Sequence, residues 1–118
     1  MIDDGRPLFI QIADSIAEGI LDGTYPEATA VPSTNELARH LRINPATAGK
    51  GLTVLVEQGV LEKRRGIGMF VTEGAREQLM RDRTASFAAE HITPMIHAAR
   101  ALGISREALI AAIEKELK

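Results

Sequence analysis

The chain has 118 residues, 45% of them apolar but only 3% aromatic, with no cysteine and a formal net charge of −2. That is room for one ordinary domain plus an appendage around an aliphatic core, and it excludes disulfides, thiolate metal sites and cysteine nucleophiles. No run approaches the ~18 consecutive apolar residues of a membrane span, and Met1-Ile2-Asp3-Asp4-Gly5 lacks the basic-then-apolar order of a signal peptide, so the expectation is a cytoplasmic protein without a membrane partner.

In chain order, residues 8–22 carry Leu8, Phe9, Ile12, Ala13, Ile16, Ala17, Ile20 and Leu21 as one stripe at the helical period. Pro7 suits the first helical position and Gly23 the C-terminal cap. Residues 24–32 read as a loop with a very short strand around Ala30-Val31. Ser33-Thr34-Asn35-Glu36 is a capping box that opens a short helix with Leu37, Ala38 and Leu41 on one face. Arg42-Ile43 forms a tight turn, and Asn44-Pro45 starts a helix over 45–58, with Ala48, Leu52, Leu55 and Val56 inward and Gly59 at its end. Val60–Lys63 and Met69–Thr72 read as two short strands, with Arg64–Gly68 as the hairpin tip between them. The tail reads as a helix over about 74–101, kinked near Thr93 by Pro94. After a turn at Gly103-Ile104-Ser105, a last helix carries Leu109, Ile110, Ile113 and Leu117 in a stripe.

Charge is unevenly distributed. Residues 1–38 have seven acids and one base, residues 39–65 six bases (Arg39, Arg42, Lys50, Lys63, Arg64, Arg65) and two acids, and residues 66–118 seven of each. A charge cluster alone is equally a solvated face. Here the basic island coincides with two short helices joined by a tight turn, where Ala38, Ala48 and Gly51 are small enough for close helix crossing. That is the outline of a helix-turn-helix. On this reading Ala46, Thr47, Lys50 and Thr53 lie on the outward face of the second helix, toward base edges, and its start presents Asn44 and free backbone N–H groups that suit a phosphate oxygen. Ser33, Thr34 and Asn35 lie at another helix start that can face phosphate. A basic hairpin alone is an ordinary turn. Placed directly after a helix-turn-helix it reads as a wing, with Lys63, Arg64 and Arg65 as charge and Gly66 allowing close backbone approach. The fold class is therefore mainly α with a small β-hairpin: a winged helix-turn-helix domain over 6–72, then a helical segment over 73–118.

The sequence resembles the GntR family of bacterial transcription regulators. The resemblance is carried by Pro7-Leu8-Phe9 with Gln11-Ile12, by Val31-Pro32-Ser33 with Glu36-Leu37-Ala38, and by Ile43-Asn44-Pro45-Ala46-Thr47. It continues through Glu57-Gln58-Gly59-Val60-Leu61 and Arg65-Gly66-Ile67-Gly68-Met69-Phe70-Val71. The Asn-Pro-x-Thr helix start and the short tail are similar to its YtrA-like subfamily. The resemblance implies a repressor that binds double-stranded DNA as a homodimer through a two-helix tail, often at transporter operons. Asn35 departs from an arginine common in the family, and Pro45 and Gly49 from polar or basic residues, so Thr47 and Lys50 carry more of the expected contact. Leu79, Phe87, Met95, Ile96, Leu109, Ile110, Ile113 and Leu117 are the expected dimerisation residues.

Other chemistry finds little support. His91 and His97 lie six apart around Pro94, unlike helical metal ligands three or four apart. Gly66-Ile67-Gly68 lacks the third glycine or lysine of a nucleotide loop, and Ser86 and Ser105 have no arranged base. No metal, no cofactor and no enzyme activity are expected, and no small-molecule effector is identified. One rival reading is a winged helix kept as a protein-interaction scaffold; a second is a ligand sensor, whose small molecule would have to bind at the dimer interface or between the tail and the DNA-binding domain.

Overall fold

The computed structural model describes residues 5–118. Helix α1 spans Leu8–Leu21, α2 Thr34–Leu41 and α3 Pro45–Glu57; strands β1 (Leu61–Arg64) and β2 (Gly68–Val71) follow, then helices α4 (Ala75–Phe87), α5 (Thr93–Ala101) and α6 (Arg106–Glu116). Two compact units result, one reaching to Arg81 and the other spanning Asp82–Lys118.

The first unit is built on the apolar stripe of α1. Ile12, Ala13, Ile16, Ala17 and Ile20 are buried with Leu37 and Ala38 of α2, Ala48, Leu52 and Leu55 of α3, and Val60, Leu61 and Val71 of the hairpin. The expected role of Gly51 shifts. It makes room for α1 rather than α2: a Cβ there would lie 2.8 Å from Ile12 Cγ2 and 3.0 Å from the Phe9 carbonyl oxygen. Pro7 stands one residue before α1, as its cap, rather than inside it.

The hairpin pairs Leu61 with Val71, Glu62 with Phe70, Lys63 with Met69 and Arg64 with Gly68. The short strand expected near Ala30 is a single antiparallel bridge to Phe70. Hydrogen bonds from Val31 N–H to the Met69 carbonyl and from Ala28 N–H to the Val71 carbonyl extend it, so the outer edge of β2 is covered.

The unit ends later than the expected boundary at residue 72, because the start of α4 docks on it. Gly74 N–H donates to Glu27 Oε1 (2.9 Å), Arg76 Nε to the Leu21 carbonyl (2.9 Å), and Gln78 Nε2 to the Gln58 carbonyl (2.6 Å). Ala75 and Leu79 join the core. Leu79, expected at the dimer interface, is 4% exposed inside this unit and therefore has no face left for a second chain.

In the second unit the expected kink at Pro94 takes a specific form. Ala88–Ile92 is a π-helical turn, and Pro94 is the second residue of α5. Proline lacks the N–H for the i→i−4 bond and clashes with the carbonyl four residues back; one wide turn relieves both. Ser105 Oγ accepts from Ala108 N–H and caps α6 as expected.

Replacing Gly51 with Ala is expected to destabilise the protein by about 1–3 kcal/mol through overpacking at the α1–α3 crossing. Gly49→Ala, whose Cβ would meet Thr34 Cγ2 at 3.5 Å, is expected to be neutral or stabilising by up to about 1 kcal/mol. Urea unfolding of the two variants checks the contrast, and equal effects would remove the close-crossing account.

Candidate nucleic-acid interface

The two helix starts expected to face phosphate differ in what they leave free. At α2, Ser33 Oγ accepts from Glu36 N–H (3.1 Å) and Ser33 N–H donates to Glu36 Oε1 (3.0 Å), the reciprocal capping box. Thr34 and Asn35, the first two residues of α2, keep N–H groups with no intrahelical acceptor. At α3, Asn44 Oδ1 accepts from Ala46 N–H (2.8 Å). Thr47 and Ala48 N–H both donate to the Asn44 carbonyl, and Pro45 has no N–H. The expectation of unsatisfied N–H groups at the start of the second helix is corrected: cap and proline use them all. The open donors belong to α2.

These two helix starts adjoin. Thr34 Cγ2 lies next to Gly49 of α3, and Asn35, Asn44, Ala46 and Lys50 are exposed while Ser33, Thr34 and Thr47 are half-buried. Lys50 Nζ sits 4.1 Å above the centre of the Phe9 ring. The ring quadrupole attracts a cation over its face, so the exposed lysine is held against α1 beside the α3 crossing. Between α2 and α3 the chain turns through Arg42, whose φ of 56° is left-handed; Ile43 N–H closes the turn on the Ala38 carbonyl (3.0 Å).

The three wing bases are not brought together. Arg64 turns back along the hairpin: its Nη2 and Nε lie 3.0 and 3.1 Å from Glu62 Oε1, and its guanidinium is 4.2 Å from the Phe70 ring centre. Strand alternation puts Lys63 on the opposite face, across from Met69. Arg65 stands in the three-residue tip with Gly66, whose φ is 75°, and the exposed Ile67. Lys63 and Arg65 have no ion-pair partner among the described residues. Phe9 and Phe70, the platforms for Lys50 and Arg64, were not among the expected site residues. Phe70 was within reach of sequence reasoning, since the register places it diagonal to Arg64. Phe9 lies 41 positions before Lys50, and no local period links them.

Of the expected dimerisation residues other than Leu79, Phe87, Met95, Ile110, Ile113 and Leu117 are exposed, at 37–79%, while Ile96 and Leu109 are half-buried. His91 packs against Phe87, ring centres 5.4 Å apart. Among the described residues no group of three or more His, Asp or Glu is arranged to hold a metal ion, and no helix is long and apolar enough to cross a membrane.

A two-helix core with a tight turn, a preceding helix and a following hairpin defines a winged helix-turn-helix of the DNA-binding regulator class. The sequence pattern of the bacterial regulatory proteins, gntR family, matches residues 9–71, and the chain belongs to that family, whose members are DNA-binding transcription regulators rather than enzymes. It is 29% identical to the transcriptional repressor YtrA of Bacillus subtilis over 87% of this chain and 78% of that one. A GntR family transcriptional regulator from Listeria monocytogenes superposes with a TM-score of 0.77 at 32% identity, covering 97% of this chain and 98% of that chain. The DNA-binding domain of AraR in complex with its operator ORR3 matches at TM-score 0.53 and 30% identity, over 54% of this chain and 77% of that one. Several curated relatives are matched through this domain alone, and the chain spans only 26–30% of their length.

The capping box carries a pH signature. The bond from Ser33 N–H, and then the Ser33 side chain, hold the Glu36 carboxyl below its ordinary value of 4.5. A depressed folded value means that the stabilisation is complete above the unfolded value and is lost as pH falls through the folded one. Glu36→Ala is therefore expected to lower Tm at neutral pH, by a margin that shrinks below pH 4.5. A margin independent of pH in thermal melts would remove the carboxylate from the cap.

Proposed function

We propose that the protein is a homodimeric repressor that binds an inverted-repeat operator. Helix α3 enters the major groove with Asn44, Ala46, Thr47 and Lys50 toward base edges. Ser33, Thr34 and Asn35 at the start of α2 engage the phosphate backbone, and Lys63, Arg64, Arg65 and Gly66 of the hairpin flank the groove. The observation that carries this reading is the pairing of an exposed α3 face, with Lys50 held over Phe9, and an adjoining α2 start whose N–H groups lack acceptors. Phosphate contacts fix register, and side chains at the groove floor select sequence. The relation to an operator-bound AraR domain and to a repressor supports the same reading.

The dimer rests on the second unit. Met95, Ile110, Ile113 and Leu117 leave apolar surface open there, and Ala99 is its one buried apolar residue. A two-fold interface covers such surface with its own copy. Two recognition helices so joined fit half-sites spaced by about one helical turn or a little more. Transporter genes are the target that the YtrA-like resemblance suggests, and repression follows from a dimer that blocks polymerase.

Selection of bound duplexes from a random pool, followed by salt titration of the winner, tests the reading. An enriched inverted repeat with a steep salt slope is expected. Arg65→Ala is expected to flatten that slope by about 0.9 for a single lost phosphate contact, and an unchanged slope overturns the wing assignment. Lys50→Ala is expected to change affinity or base preference; if neither moves, α3 is not the reading helix. No enrichment at all favours a winged helix kept for protein contacts.

Ile113→Asp places a charge on the proposed interface and is expected to give a monomer in sedimentation, with operator affinity lost in parallel. A variant that still sediments as a dimer moves the interface elsewhere.

A further inference from the structure

The second unit contains a cavity of about 310 Å³ between α5 and α6, lined by Ile96, Ala99, Arg100, Ile104, Arg106 and Leu109. We propose that it binds a small carboxylate with a compact apolar body, such as a medium-chain fatty acid or an aryl acid. The proposal deepens the repressor reading by naming a ligand class for its tail.

Four of the six lining residues are apolar, the other two are arginines, and none is acidic. Its volume lies at the small end of ligand pockets, roughly 300–1,000 Å³, which combine apolar walls with a few polar groups that orient the ligand. Ala99 is buried at 6% exposure, and its carbonyl accepts from Ile104 N–H (2.9 Å), so part of the wall is fixed by the turn between the helices.

The arginines give the ligand its charge. Neither Arg100 nor Arg106 forms an ion pair among the described residues, although Glu107 and Glu114 lie on the same helix as Arg106. Arg100, in the last turn of α5, is favourably placed for the helix dipole and needs no ligand to explain it. Arg106 is different. It occupies the first position of α6, where the positive end of the helix disfavours a cation. A carboxylate between the two guanidinium groups removes that conflict and uses their bidentate donor geometry, while an apolar body displaces water from Ile96, Ile104 and Leu109. A phosphate or a sugar would satisfy the arginines and leave the apolar wall unused.

The test is calorimetric titration of the full-length protein with octanoate and with benzoate, using octanol as the uncharged comparison. Saturable binding of at least one carboxylate is expected, with octanol weaker by about tenfold or more. Arg100→Gln and Arg106→Gln are each expected to weaken the carboxylate by about tenfold or more, the loss of one charge-assisted contact. No saturable binding at millimolar carboxylate, or binding unchanged in both variants, overturns the proposal. Ile96 and Leu109 line the cavity and are also expected dimerisation residues, so each variant is sedimented beside the titration. Weaker carboxylate binding with the oligomeric state unchanged supports the proposal, and binding lost only together with a change of oligomeric state overturns it. Duplex selection reads operator binding separately. A variant that fails to melt cooperatively is replaced by Arg→Lys at the same position, for which the same weakening is expected from loss of the planar fork.

Discussion

Helix α3 meets helix α1 at Gly51, where the space for a side chain is already filled by Ile12 Cγ2 and the Phe9 carbonyl oxygen. One missing Cβ thus sets how deeply α3 sinks onto α1, and the functional geometry depends on that depth. Lys50, one residue before Gly51, flanks this contact and is carried over the ring of Phe9. A longer side chain at Gly51 would lift α3 and draw Lys50 off its platform. Packing and the proposed recognition face share one crossing, so the core fixes where Lys50 stands.

Accounting for backbone donors then divides labour between the two short helices. Every buried or terminal N–H needs an acceptor from protein, water or ligand. Helix α3 begins with Asn44-Pro45, which satisfies or deletes its first donors internally. It has no dipolar anion site to offer and presents side chains instead, as a reading helix should. Helix α2 spends its cap on Glu36 N–H alone and leaves the Thr34 and Asn35 N–H groups open. In the proposed DNA complex, a phosphate taken by these N–H groups and the Ser33 and Thr34 hydroxyls would depend less on a long cation, which fits Asn35 at a position where the family resemblance leads one to expect arginine. The wing shows the same economy of charge: Arg64 is held by Glu62 and Phe70, which leaves Arg65 and Lys63 as its cations without an ion-pair partner among the described residues.

Much of this was legible in the sequence because local rules and tertiary needs agree. The stripe of α1, the Ser33–Glu36 box, the Asn44-Pro45 start and the hairpin around Gly66 each rest on interactions between residues a few positions apart. What was not legible depends on distant partners. Leu79 belongs to an apolar pattern that reads equally well as core or as interface; only the docking of Gly74, Arg76 and Gln78 onto distant carbonyls and a carboxylate decides for core. Gly51 was readable as small, but not as small for α1 rather than α2. Pro94 announced a disturbance without saying that a π-helical turn at Ala88–Ile92 would absorb it.

The tail follows from the amount of reading that one copy can do. Good bidentate contacts to a base give about 1–3 kcal/mol of discrimination each, and the proposed groove-facing side of α3 carries few polar side chains: Thr47, Lys50 and Thr53, beside the Asn44 cap. Operator affinities of about 10⁻⁸ to 10⁻¹¹ M correspond to roughly 11–15 kcal/mol. In the proposed dimer, two joined copies double the base contacts while the cost of docking is met once. The unit spanning Asp82–Lys118 leaves Met95, Ile110, Ile113 and Leu117 open. In the proposed dimer this open apolar surface has a simple use: covered by its own copy, it would join two reading helices that each carry few polar side chains.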